Sequence, residues 1–113
     1  MAAGYQDLFI EQGTTFNTEI TLDDVNGTAM NLTNFTVSSQ ARKSYYSSSA
    51  TIVFDASISD PNNGVITLSA NSAVTSNVSP GKFVYDVLIT DTVSYNVTRV
   101  LEGQIFVSPS VTR

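Results

Sequence analysis

An all-β fold, two antiparallel sheets packed face to face, is the class this chain predicts, and three observations predict it. Short runs of alternating apolar and polar residues recur along the chain, clusters of Gly, Pro, Asn, Asp and Ser separate them, and helical periodicity is nearly absent. With 113 residues, the chain is long enough for one domain that buries about two thirds of its unfolded surface without a disulfide or a metal.

The predicted central strand is Phe83-Val84-Tyr85-Asp86-Val87-Leu88-Ile89, entered through the turn Ser79-Pro80-Gly81. Pro pre-sets φ for a turn and Gly accepts positive φ. Phe83, Tyr85, Val87 and Ile89 share one face, whereas Val84, Asp86 and Leu88 on the other are too apolar for a face turned to plain water.

From the N-terminus, Asp7–Glu11 is a first strand, ended by Gln12-Gly13. Phe16, Thr18, Ile20 and Leu22 alternate in a second, and Asp23–Thr28 turns through Asn26-Gly27 into the return segment Ala29–Leu32. A third long strand begins at Phe35, with Phe35, Val37, Ser39 and Ala41 facing inward and Thr36, Ser38, Gln40 and Arg42 outward. Ser44–Ser49 reads as a mobile polar loop, after which Thr51–Phe54 re-enters the sheet. Asp60–Gly64 is the strongest turn signal, and Val65–Leu68 leaves it as a strand. A turn or two of helix is expected between Ser69 and Val78, capped by Ser69, Asn71 or Ser72. The last strand runs from about Tyr95 to Val107, with a bulge placed at Gly103.

The sum is about seven strands with one short helical crossing, the spacing of an immunoglobulin-like sandwich. Its predicted core is Phe16, Ile20, Leu22, Phe35, Val37, Phe54, Ile66, Leu68, Phe83, Tyr85 and Val87. Phe83 falls where antibody domains place a corner tyrosine, and without a hydroxyl it makes no corner hydrogen bond. The chain is read as a single domain, 1–113, with arms at 1–5 and 108–113 that pack on neighbouring subunits.

Composition limits function. With a net charge of −5 and five scattered basic residues, counterion-driven binding to nucleic acid or anionic membranes is not expected. The N-terminus has neither the basic nor the apolar region of a signal peptide, and no apolar run approaches the roughly 20 residues that span a bilayer. Without His or Cys, imidazole acid-base catalysis, a Ser-His-Asp triad and a thiolate nucleophile are excluded, so no catalytic residue, cofactor or metal is assigned. Asp23-Asp24 and Asp60 do not have the spacing of a twelve-residue calcium loop and are read as turn formers. Five Asn-x-Ser/Thr sequons, at Asn26, Asn31, Asn34, Asn77 and Asn96, are attributed to composition.

Two surfaces stand out. The outward face of the third, sixth and seventh strands carries Val84, Leu88, Val100 and Phe106, with Arg42 set to offset Asp86 or Glu102; together with Pro109 and Arg113 these form the expected partner interface. Tyr45 and Tyr46, in the polar loop, are the candidate ligand contacts, able to stack on a sugar ring or on a protein.

Several stretches carry a resemblance. Leu8-Phe9-Ile10-Glu11-Gln12-Gly13-Thr14-Thr15-Phe16, Asn31–Phe35, Asn63–Ser69, Gly81–Val87, Arg99–Gly103 and Val107–Arg113 resemble small virion structural proteins of tailed bacteriophages. The layout is similar to the N-terminal β-sandwich of phage baseplate upper proteins, which docks receptor-binding modules to the tail. The resemblance implies a non-enzymatic subunit of tail, baseplate or neck, made in the bacterial cytoplasm and bound to other virion proteins. A capsid decoration protein and a carbohydrate-binding sandwich that grips host polysaccharide are the alternatives.

Overall fold

The computed structural model describes residues 4–23, 27 and 30–111. In chain order these form β1 (Gly4–Tyr5), β2 (Leu8–Glu11), β3 (Phe16–Thr21), β4 (Phe35–Arg42), β5 (Ile52–Val53), β6 (Asp55–Asp60), β7 (Val65–Ala70), α1 (Ser72–Ser76), β8 (Gly81–Asp91) and β9 (Val97–Ser108). They make two sheets packed as a sandwich. The larger runs β1-β9-β8-β4-β5, with β2 also on β9, and the smaller runs β3-β7-β6.

β8 is the central strand of the larger sheet, as its sequence predicts. It pairs antiparallel with β9 on one side and β4 on the other. Phe83, Tyr85, Val87 and Ile89 are buried, while Val84, Asp86 and Leu88 on the other face are half-buried. Ile20, Leu22, Phe54, Ile66 and Leu68 join them in the core, with Phe16, Phe35 and Val37 packed at its margin. Phe16 meets Phe54 with ring centroids 5.8 Å apart. The core also takes Leu8, Ile10, Leu32, Ile52 and Val78 from segments to which the sequence assigns no facing, and Ile105 and Val107 from the inward side of the last strand, opposite in parity to Phe106.

The turns follow their residues. Pro61–Asn63 is one turn of 3-10 helix, closed by Gly64 at φ 69. A Cβ at Gly64 would stand 2.5 Å from the carbonyl oxygen of Leu22 and 2.7 Å from that of Met30, so the chain passes there only without a side chain. α1 begins at Asn71, whose side chain accepts a hydrogen bond from the Val74 amide at 2.9 Å. The helix is pinned inward by Thr75, whose buried hydroxyl donates to the Thr14 carbonyl at 2.7 Å. Asp24–Asn26 and Thr28-Ala29 of the expected hairpin turn lie outside the described residues.

Four expectations are corrected. First, Gly4-Tyr5 is not an outlying arm, because it pairs parallel with Leu101-Glu102 at the sheet edge. Second, Ser108 likewise belongs to β9, opposite Glu11, and Ser110 donates its amide to the Gln12 side chain at 3.3 Å. Third, β6 is an additional strand. It offers only Ala56 and Ile58 to the interior, too weak an alternation to read between Phe54 and the Asp60 turn.

The fourth concerns the bulge, which lies at Val100 rather than Gly103. Val87 opposes Leu101 and Leu88 opposes Arg99, so Val100 is the extra residue. Gly103 serves another purpose. Tyr5 opposes Glu102 and Leu8 opposes Ile105, which brings the Gln6 carbonyl over Gly103, where any Cβ would collide with it. The Tyr85 hydroxyl donates to the same carbonyl at 2.5 Å, and the Asp7 carboxylate accepts the Gln104 amide at 3.2 Å. Burial, with the nearby Asp7 and Tyr5 adding to it, pushes the Tyr85 phenol well above the usual tyrosine range.

Candidate functional site: the outer face of the larger sheet

Because side chains alternate along a strand, burial of Phe83, Tyr85 and Val87 sends Val84, Asp86 and Leu88 to the outer face. β4 adds Gln40 and Arg42 to that face, and β9 adds Glu102, Gln104 and Phe106. Val100 is not among them. The bulge turns it into the core at 6% exposure, which removes it from the expected interface.

The bulge also decides which arginine meets the acids. With one extra residue between them, Arg99 and Glu102 point the same way. Arg99 Nε stands 3.3 Å from Asp86 Oδ2, and its Nη1 stands 3.5 Å from Glu102 Oε2. Arg42 does not take that role. It donates to the Ser47 carbonyl and to Gln40 Oε1, both at 3.0 Å, and so ties the loop after β4 to the sheet. Arg99 was not singled out from the sequence because strict alternation puts it on the inward face with Leu101, and only the extra residue at Val100 turns it outward. Its ion pairs are exposed and contribute at most about 1 kcal/mol each, so their effect is to orient side chains.

The apolar residues form two groups. Phe106 sits opposite Lys82 and stacks on Phe9 of β2, with centroids 5.4 Å apart and planes 20° apart. Val84 is diagonal to Phe106, whereas Leu88 lies beyond Asp86 toward the other end of β8. Phe9, 73% exposed, is an outward aromatic that sequence reasoning missed; its sign was the outward parity of an aromatic between Leu8 and Ile10. Pro109 is exposed at the far end of β9, beside Glu11, Gln12 and Thr14, and Arg113 lies outside the described residues.

Between the two groups is a shallow depression of about 280 Å³, lined by Gln40, Arg42, Val84, Asp86, Leu88, Arg99 and Glu102, with Tyr45 as one wall. Tyr45 and Tyr46 are 70% and 96% exposed. Their loop is a hydrogen-bonded turn, the Ser47 amide donating to the Ser44 carbonyl at 3.2 Å and the Ser44 amide to Ser47 Oγ at 3.1 Å. Lys43 Nζ folds back over the Phe83 ring, 5.1 Å from its centroid, which directs Lys43 away from the depression.

Away from this face, the Asp60 side chain accepts from Asn63 Nδ2 at 2.9 Å, as a turn former does. Asp23 is exposed, and Asp24 lies outside the described residues. Among the described residues, no three acidic side chains stand together as a metal site would require. No described helix is long and apolar enough to cross a membrane.

No family model and no curated protein matches this chain. Among solved structures it is similar to InlP of Listeria monocytogenes, at 18% identity over 94% of this chain, with a TM-score of 0.50. The likeness is one of fold. A family 123 glycoside hydrolase from Clostridium perfringens aligns over 97% of this chain at 13% identity, with a TM-score of 0.43. The chain spans about a quarter of each, 27% and 24% of their lengths.

Proposed function

We propose that this chain is a non-enzymatic structural subunit of a tailed bacteriophage particle, in tail, baseplate or neck, that binds other virion proteins through the outer face of its larger sheet. The observation that carries the reading is the stacked Phe9–Phe106 pair beside Val84, an apolar cluster placed on interior and edge strands and facing away from the core. Rings of this size, when covered by a partner, contribute roughly 1.5–3 kcal/mol each, enough to anchor an interface. The virion assignment is supported by the resemblance of the strand and turn segments, and the non-enzymatic assignment by a chain without His or Cys.

Detection of the chain in density-purified virions by a specific antibody tests the reading. Labelling at one substructure is expected. Virions free of the chain would overturn it.

One observation favours carbohydrate binding as the second reading: Tyr45 walls a depression that offers Gln40, Asp86, Arg99 and Glu102, the aromatic platform and planar polar groups that hold a sugar ring. A glycan array separates the two. Binding that is lost in Tyr45→Ala would favour the sugar; no binding, with virion labelling retained, favours the structural subunit.

A further inference from the structure

In a constant-type immunoglobulin sandwich the four-stranded sheet begins with the first strand, which covers the edge of the second. Here the first strand is absent from that place. β1 and β2 run parallel to β9 in the larger sheet, and among the described residues nothing pairs with the outer edge of β3. A cleft of about 600 Å³ opens along this side, bounded by Gln6–Phe9 and Glu11 above and by Thr14–Thr18 below.

Two of the other free edges are managed in recognisable ways. β5 is two residues long, and β6 carries Asp at both ends and a register shift between Ile58 and Asp60. β3 has none of these devices. It pairs with β7 without interruption from Phe16 to Thr21, and it contains no Pro, no Lys and a single charge, Glu19. Such an edge is a template for one more strand.

We infer that the missing strand is supplied by β3 of a second copy of this chain, antiparallel across a two-fold axis at Thr18. The choice of occupant rests on register. Residues directly opposite in an antiparallel pair point to the same face, so the axis must pass through a residue rather than between two. An axis at Glu19 sets Glu19 against its own copy, a like-charge pair. An axis at Asn17 shortens the overlap and sets Phe16 against Thr18. An axis at Thr18 sets Phe16 against the partner's Ile20 on the core side, Asn17 against the partner's Glu19 on the exposed side, and Thr18 against itself. The two small sheets then become one continuous six-stranded sheet, and neither β3 edge remains open.

Charge at Asn17 tests this without touching the core, because Asn17 is exposed. Sedimentation equilibrium of the wild-type chain is expected to show a monomer–dimer equilibrium. Asn17→Glu places two like-charge pairs across the axis and is expected to weaken the dimer roughly two- to thirtyfold, while Asn17→Lys strengthens it by a similar factor. Circular dichroism of both variants is expected to match wild type. Amide exchange is expected to show concentration-dependent protection confined to Phe16–Thr21. A wild type that stays monomeric at all concentrations overturns the inference. So do equal effects of the two substitutions, or protection that falls on another element. Protection of β3 only on mixing with a different virion protein would likewise overturn the second copy as occupant. None of these readouts involves the Phe9–Phe106 face, so failure here leaves the virion assignment standing.

Discussion

Tyr85 and Gly103 act as one unit. The glycine lets the Gln6 carbonyl lie over β9, and the tyrosine hydroxyl holds it there. Gly103→Ala forces a methyl group into that carbonyl and against the Tyr85 ring, at an expected cost of about 3 kcal/mol in urea unfolding, the upper end for overpacking. Tyr85→Phe keeps the ring and loses the hydrogen bond, for about 1 kcal/mol, whereas Tyr85→Ala costs roughly 3–5 kcal/mol. The phenol also has a pH signature. Its folded pKa is raised, so its stabilisation is fully present below the unfolded value near 10 and is lost as pH rises through the folded one. The melting temperature of wild type is therefore expected to fall above about pH 10 more steeply than that of Tyr85→Phe; parallel curves would show that the phenol does not report folding.

Asp91 carries the opposite sign. Its carboxylate accepts the Val93 amide at 2.8 Å and the Ser94 amide at 3.2 Å in the β8–β9 turn, and these bonds lower its pKa. A lowered folded pKa contributes stability above the unfolded value near 3.9, lost as pH falls through the folded one. Asp91→Asn is expected to flatten the loss of melting temperature below about pH 4. An unchanged acid limb would assign that loss to other carboxylates.

At the scale of elements, the bulge in β9 decides which residues are surface. Leu88 and Phe106 are half-buried on the outer face, whereas Val100 is inside. Leu88→Asp and Phe106→Asp are therefore expected to fold, each within about 1 kcal/mol of wild type in urea, while Val100→Asp loses about 3 kcal/mol or more because it buries an unpaired carboxylate. Equal losses for all three would put the bulge elsewhere. On the proposed function the same variants bear on assembly: Phe106→Asp breaks the ring pair with Phe9 and is expected to reduce incorporation into particles while lowering the melting temperature by only a few degrees. Normal incorporation would count against the proposed interface on this face.

At the scale of the molecule, the sandwich is closed on one side and open on the other. The first strand joins the larger sheet, which leaves a stable core of Leu8, Ile10, Ile105 and Val107 beside an uncovered β3. The outer face and this open edge point in different directions of the fold, so two kinds of contact can be made at once. On the proposed function and the inferred self-pairing, a partner on the face and a second copy at the edge fit together in one assembly.

Local chemistry made much of this legible in advance. The alternation of Phe83 to Ile89, the Asp60–Gly64 turn and the Asn71 cap each follow from side-chain size, φ preference or a single hydrogen bond, which act within a few residues. The class of fold follows from them, with the part of the core built on Ile20, Leu22, Phe54, Ile66, Leu68, Phe83, Tyr85 and Val87, as does the outward direction of Val84, Leu88 and Phe106. Tertiary structure alone decided the rest. Val100 turned inward and Arg99 met Asp86 because β9 gained a residue against β8, a mismatch defined only when both strands are paired. Gly4-Tyr5 became a strand because β9 offered it a free edge, and Phe9 became half of a stacked ring pair because Phe106 lay beside it. Which sheet receives the first strand depends on hydrogen-bonding partners about a hundred residues away, and such partners leave no periodic trace in the segment that finds them.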